Sequence, residues 1–403
     1  MIAPTQSRYR WYILLLSALT SALTVAIPSM CLSVLFEEIS RDLGLDVIQI
    51  GMVWGIGALP GIVTVLLGGV ISDQFGPRRI LIIMCILVGA AGALRGIAQD
   101  FAGLMALAFV FGFISPVVQT NILKTCGLWF PGKQVGRATG IISMAMALGF
   151  MISALVSAAV LSPLLGGWRA VLYLYGGLAM LLAIPWYFTR QFPTVKTNTG
   201  VKNARTSIWK NLAYIARMRQ IWLLGWALLG FNSCVQGALG YLPLYLRGQG
   251  WEAQSADGAS SLFHLVSLVF VIPISFNAVR LGSRRTILAA LMIVMAAGVG
   301  GLSFVSGPLI FAALVLAGMV RDGFMAVFLA TAVDLDGIGA EYAGTVTGFV
   351  LACASIGTLL APPVGNSLAV ITPGLPFIFW SGLAIVGLFG LQALKPRRVV
   401  QLA

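Results

Sequence analysis

The feature that most constrains this chain is the recurrence of apolar runs long enough to cross a bilayer. Spanning the hydrocarbon takes about 20 apolar residues in a helix. Such runs occur at 11–36, 47–71, 80–98, 102–126, 137–161 and 169–189, and again at 221–246, 259–279, 286–305, 308–332, 343–366 and 373–394. A backbone in lipid must satisfy its own hydrogen bonds, so the runs read as helices. They leave little polar sequence over: 9% of the 403 residues are charged, against roughly 25% in soluble domains. That excludes a water-soluble enzyme or binding module. The fold class is an all-α membrane protein of twelve transmembrane helices. The first run is too long for the apolar core of a cleaved signal and reads as an anchor.

The formal net charge of +13 would suit a nucleic-acid partner, but its placement argues otherwise. With the N-terminus inside, 19 of the 25 Lys and Arg fall in cytoplasmic segments, while Arg41, Arg95, Arg169 and Arg247 lie outside or at outer span ends. This is the positive-inside bias. It puts both termini in the cytoplasm, with lipid headgroups rather than nucleic acid as partners; the expected location is the plasma (inner) membrane of a prokaryote. The five cysteines are scattered through apolar stretches and read as packing residues. One histidine and no metal-ligand spacing leave no metal or other cofactor to expect.

The longest polar stretch, 190–220, divides the chain into a first bundle at 1–189 and a second at 221–403. Within it Ile208, Leu212 and Ile215 recur at helical spacing, which predicts an amphipathic helix on the inner surface. The halves also repeat one another. Gly69-Val-Ile-Ser-Asp73-Gln-Phe-Gly76-Pro-Arg78-Arg79 has a counterpart in Ser275-Phe-Asn-Ala-Val279-Arg-Leu-Gly282-Ser-Arg284-Arg285, and the nine-residue pair Gly140 and Gly149 is matched by Gly348 and Gly357. Two six-helix units with matching glycines are the sequence form of a parallel-repeat transporter.

These residues resemble the major facilitator superfamily. Gly69, Asp73, Gly76, Arg78 and Arg79 are similar to its loop 2–3 signature, with Gln74 where a basic residue is usual, and Gly136-Arg137-Ala138-Thr139-Gly140 to its loop 4–5. The resemblance implies two six-helix bundles, a cavity lined by spans 1, 4, 7 and 10, transport by alternating access, and a monomer. Span 5 departs from the family's nitrate carriers and drug–proton antiporters, since Ser153-Ala154 stand where antiporters have Gly-Pro. Separately from the likeness, Asp73 is one carboxylate among Arg78, Arg79 and Arg137, which predicts an ionic latch on the cytoplasmic side.

Ionisable residues in the hydrocarbon are costly and mark candidate sites. Arg321 and Asp322 stand deep in span 10. A guanidinium there offers a fixed fork of donors for a carboxylate; the neighbouring Asp322 is the candidate proton carrier. A structural Arg–Asp pair is the alternative. Gln119 and Asn121 in span 4, and Asn232 and Gln236 in span 7, are neutral groups able to orient a solute or bridge helices. Lys124 reads as snorkelling, His264 as a helix-packing group, and Arg95 as an interfacial residue. No catalytic constellation is present, so the expectation is a secondary transporter of a small organic anion, a monocarboxylate among the options, in symport with protons. Efflux of lipophilic or cationic compounds, with Asp322 as the cation receptor, is the alternative.

Overall fold

A computed structural model describes residues 8–61, 63–64, 76–130, 132, 134–190, 212–277, 283–333, 335 and 343–394. Among these residues there is no strand. Eleven helices are long and apolar enough to cross a membrane: α1 (Tyr9–Leu43), α3 (Pro77–Ile97), α4 (Phe101–Trp129), α5 (Gln134–Leu165), α6 (Trp168–Phe188), α7 (Arg219–Gly248), α8 (Ala253–Ser275), α9 (Arg284–Gly301), α10 (Leu309–Ala332), α11 (Gly344–Leu368) and α12 (Leu375–Gln392). A shorter apolar helix, α2 (Val47–Gly61), stands at the second expected run. Gly69, Asp73 and most of the 190–220 linker, including Ile208, lie outside the described residues.

Helix ends follow local chemistry rather than hydropathy. α1 runs on to Leu43 through the polar Glu37–Asp42 segment and stops at Gly44, whose φ of +64° makes a left-handed C-terminal cap. α2 then opens with a capping box in which Asp46 and Gln49 satisfy each other's backbone N–H groups. α8 likewise begins at Ala253, six residues before its apolar run, so the polar segment ahead of residue 259 is helical. We call the end at which α1 stops and α2 begins the distal end.

The chain falls into two compact units, 1–195 with 239–265 and 196–238 with 266–403, a division that cuts through α7 and α8. In the first unit α5 lies tight on α1. A Cβ built on Gly149 would stand 2.9 Å from the Ala26 Cβ, beside the π-helical turn Ser21–Ala26. Ser153 secures the crossing by donating to the Ile27 carbonyl at 2.9 Å. α3 and α6 meet at Gly89 and Gly176, where an added Cβ on Gly89 would fall 2.6 Å from the Gly176 carbonyl oxygen.

The second unit repeats this arrangement. Gly357 brings α11 onto α7, where an added Cβ would meet the Leu229 carbonyl at 2.8 Å and the Ser233 hydroxyl closer still. Trp380 of α12 is fully buried over Gly237 and Gly365 and donates to the Ala361 carbonyl at 2.8 Å. The ends opposite the distal one are fastened alike. Arg78 donates to the Trp186 and Tyr187 carbonyls at the end of α6, and Arg285 to the Gln392 and Leu394 carbonyls at the end of α12. Both satisfy carbonyls that a helix end leaves orphaned. Arg78→Gln and Arg285→Gln are each expected to cost about 1 kcal/mol, additively because they lie in different units. Thermal unfolding of the single and double variants in detergent measures this.

Candidate functional site

The sequence sets the candidate charges on α10 between apolar residues, and helix packing fixes them there. Phe324 is fully buried and stacks on Phe231 of α7, ring centroids 3.7 Å apart at 14°. Gly323 sits against Ile274, letting α8 approach. The Asp322 N–H donates to the Ser267 hydroxyl of α8 at 3.2 Å. Held on both sides, α10 presents Arg321 and Asp322 at the edge of its buried face, with side chains 20% and 33% exposed and Nη1 3.3 Å from Oδ1. Although successive residues on a helix point about 100° apart, the long Arg321 side chain reaches round to the Asp322 carboxylate.

On α7, Asn232 follows the stacked Phe231 and donates to the Thr358 hydroxyl at 2.6 Å and the Ala354 carbonyl at 3.3 Å. Its amide nitrogen is thus engaged by α11. Gln236 lies one turn on and is half-buried. In the first unit the Gln119 side-chain oxygen accepts from the Ser21 hydroxyl at 2.9 Å, at the π-turn of α1. Asn121 is fully buried; its amide nitrogen donates to the Val117 carbonyl at 2.8 Å, and its oxygen has no hydrogen bond. Gln119 faces a neighbouring helix at a partly open position, whereas Asn121 faces packing.

Of the expected latch, Gly76 has φ +78° and leads into α3, a conformation that favours glycine. Arg78 engages α6 carbonyls, while Arg79 and Arg137 are exposed. Arg95 corrects the sequence reading: it is 1% exposed rather than interfacial. The 3-10 turn Arg95–Ile97 folds it back into the bundle. There its Nη2 donates to the Pro28 carbonyl at 2.9 Å, and its guanidinium lies 4.2 Å from the centre of the Phe111 ring. His264 is buried and stacks on Phe150 at 5.3 Å.

Sequence reasoning missed a polar layer at the distal end of the first unit. Arg247, placed among outer-end charges, is 5% exposed and bridges Glu37 of α1 at 3.2 Å and Asp257 of α8 at 2.7 Å. Asp42 accepts from Arg169 and Trp168, and Glu38 from Ser162. A signal existed. Asp257, Ser260, Ser261, His264 and Ser267 recur at three- and four-residue spacing and are all buried. Only Asp257 of these lies ahead of the apolar run; the serines and His264 are weakly polar and merge into it.

The Major Facilitator Superfamily model matches residues 14–362, so the chain belongs to that family and is a transporter rather than an enzyme. With its many long apolar helices it is a multi-pass integral membrane protein. Over 398 aligned residues it is 24% identical to the probable sulfoacetate transporter SauU of Cupriavidus necator, covering 91% of this chain and 89% of that protein. It is 27% identical over 261 residues to the probable L-galactonate transporter of Escherichia coli, covering 61% of this chain and 54% of that one. A crystal structure of the nucleoside transporter NupG shares the fold, with a TM-score of 0.74 at 16% identity over 96% of this chain and 99% of NupG.

Proposed function

We propose that the protein carries small organic anions, monocarboxylates included, across a prokaryotic inner membrane together with protons. The observation that carries this reading is the Arg321–Asp322 pair, part-exposed on a helix clamped by Phe231, Ser267 and Ile274. A guanidinium fork suits a carboxylate or sulfonate. An incoming anion competes with Asp322 for Arg321, and the displaced carboxylate takes the coupled proton. Gln119, Asn121, Asn232 and Gln236 are the polar groups assigned to solute orientation, and Asp73 with Arg78, Arg79 and Arg137 to the cytoplasmic latch, in a monomer. The names of the two relatives, both carriers of acids, support the anion class.

The test is thermal unfolding of the purified protein with sulfoacetate, galactonate, a short monocarboxylate or a lipophilic cation, each at two pH values. A ligand bound only by the folded carrier stabilises it, by about 2.7 kcal/mol at a hundred times Kd. Stabilisation by an anion, lost in Arg321→Gln, is the expected result. Stabilisation by the cation alone, lost in Asp322→Asn, would replace this reading with efflux of cationic compounds.

A further inference from the structure

Within the first unit, α1, α5, α7 and α8 meet at the distal end around Asp257. Its side chain is fully buried. Oδ1 accepts from Arg247 Nη2 at 2.7 Å, whereas Oδ2 makes no hydrogen bond of ordinary geometry; the Ala159 amide of α5 also faces the carboxylate. Among the described residues, few charged groups face it. Arg247 comes from α7, and Glu37 and Glu38 from α1; Arg41 pairs with Glu37, and the Ser162 hydroxyl donates to Glu38. His264 lies two turns along α8 itself. Arg247 therefore has two kinds of partner. Asp257 is on the next helix in sequence, ten residues away, whereas Glu37 is on α1, 210 residues away.

Separating α1 from α7 and α8 would break the Glu37–Arg247 bridge and leave the Arg247–Asp257 bridge intact. A buried carboxylate with an unsatisfied oxygen is costly unless it is neutral or reached by water. We propose that Asp257 is a proton-binding site governing a distal gate in which Arg247 is shared with Glu37 when closed and held by Asp257 alone when open. Protonation makes Oδ2 a donor, removes its demand for water and leaves Glu37 as the one ionised carboxylate on Arg247 among the described residues. Loss of the proton calls for hydration and gives Arg247 a partner that stays with it on opening. Both effects have one sign: protons favour closure, and rising pH favours opening. The proposal takes the transport class from the reading above, but it does not depend on which solute is carried.

Ser261 supplies a reporter, since it is 6% exposed and donates to the Met151 carbonyl of α5 at 3.1 Å in the same layer. The experiment measures labelling of Ser261→Cys by a membrane-impermeant maleimide between pH 5 and 8, with no substrate present. Rates are normalised to Leu164→Cys, a distal position that is 75% exposed, and the parent protein supplies the background. Normalised labelling is expected to rise with pH, by up to about tenfold per unit, the limit for one proton. Asp257→Asn should hold it slow at every pH. Glu37→Gln, at a part-exposed position where folding is not at stake, should raise it severalfold throughout. An unchanged pH profile in Asp257→Asn, or wild-type labelling in Glu37→Gln, overturns the proposal. Failure of the anion assay alone leaves it standing.

Discussion

Arg321→Gln should lower anion uptake into proteoliposomes by about a hundredfold in kcat/KM. The loss of a charge-assisted fork at a part-exposed position corresponds to about 2–3 kcal/mol. Arg321→Lys keeps the charge but loses the planar pair of donors and should fall between. Asp322→Asn distinguishes the roles of the pair. If Asp322 only balances Arg321, its removal takes away one competitor for the guanidinium and tightens anion binding; if it also carries the proton, accumulation driven by a pH gradient disappears while anion exchange continues. Uptake of a radiolabelled anion that stabilises the purified protein, measured against counterflow, separates these outcomes. Unaltered uptake in Arg321→Gln would remove the anion site from α10, leaving the fold assignment untouched.

The glycine repeat makes the second large prediction. Gly149→Val and Gly357→Val place methyl groups where an added Cβ already meets Ala26 at 2.9 Å and the Leu229 carbonyl at 2.8 Å. Each helix must back away from its partner, which overpacking data put at about 1–3 kcal/mol or more. Gly140→Val and Gly348→Val are the controls, because an added Cβ meets nothing within 4 Å among the described residues. Thermal unfolding in detergent should separate the two pairs by several degrees. Equal effects at all four sites would mean that the nine-residue spacing does not mark helix crossings.

Much of the fold was legible because a bilayer permits few solutions. Among the described residues each apolar run has a helix at its place, and the repeat glycines identify two crossings, although only the later member of each pair makes one. Hydropathy was least informative at the helix ends. Glu37 and Asp257 lie beyond the apolar runs, so a window that rewards apolar residues stops short of the turns where ionic pairs are built. Arg95 shows the opposite limit: its position near a span end says nothing about the 3-10 turn that folds it inward. On α10 two adjacent charges were evident in the sequence. Their mutual ion pair, and the clamping of their helix by Phe231 and Ser267, arise from packing that spacing cannot show.

The arginines that close α6 and α12 bear on how the halves are to be aligned. Sequence likeness pairs Arg79 with Arg285, yet the guanidinium that closes α6 as Arg285 closes α12 is Arg78. Arg284 instead reaches the Ala330 carbonyl near the end of α10. Equivalence of task is thus displaced by one residue from equivalence of letter. A chimaera that grafts one loop onto the other half should assemble when spliced in the register of the carbonyls and fail when spliced in the register of the motif.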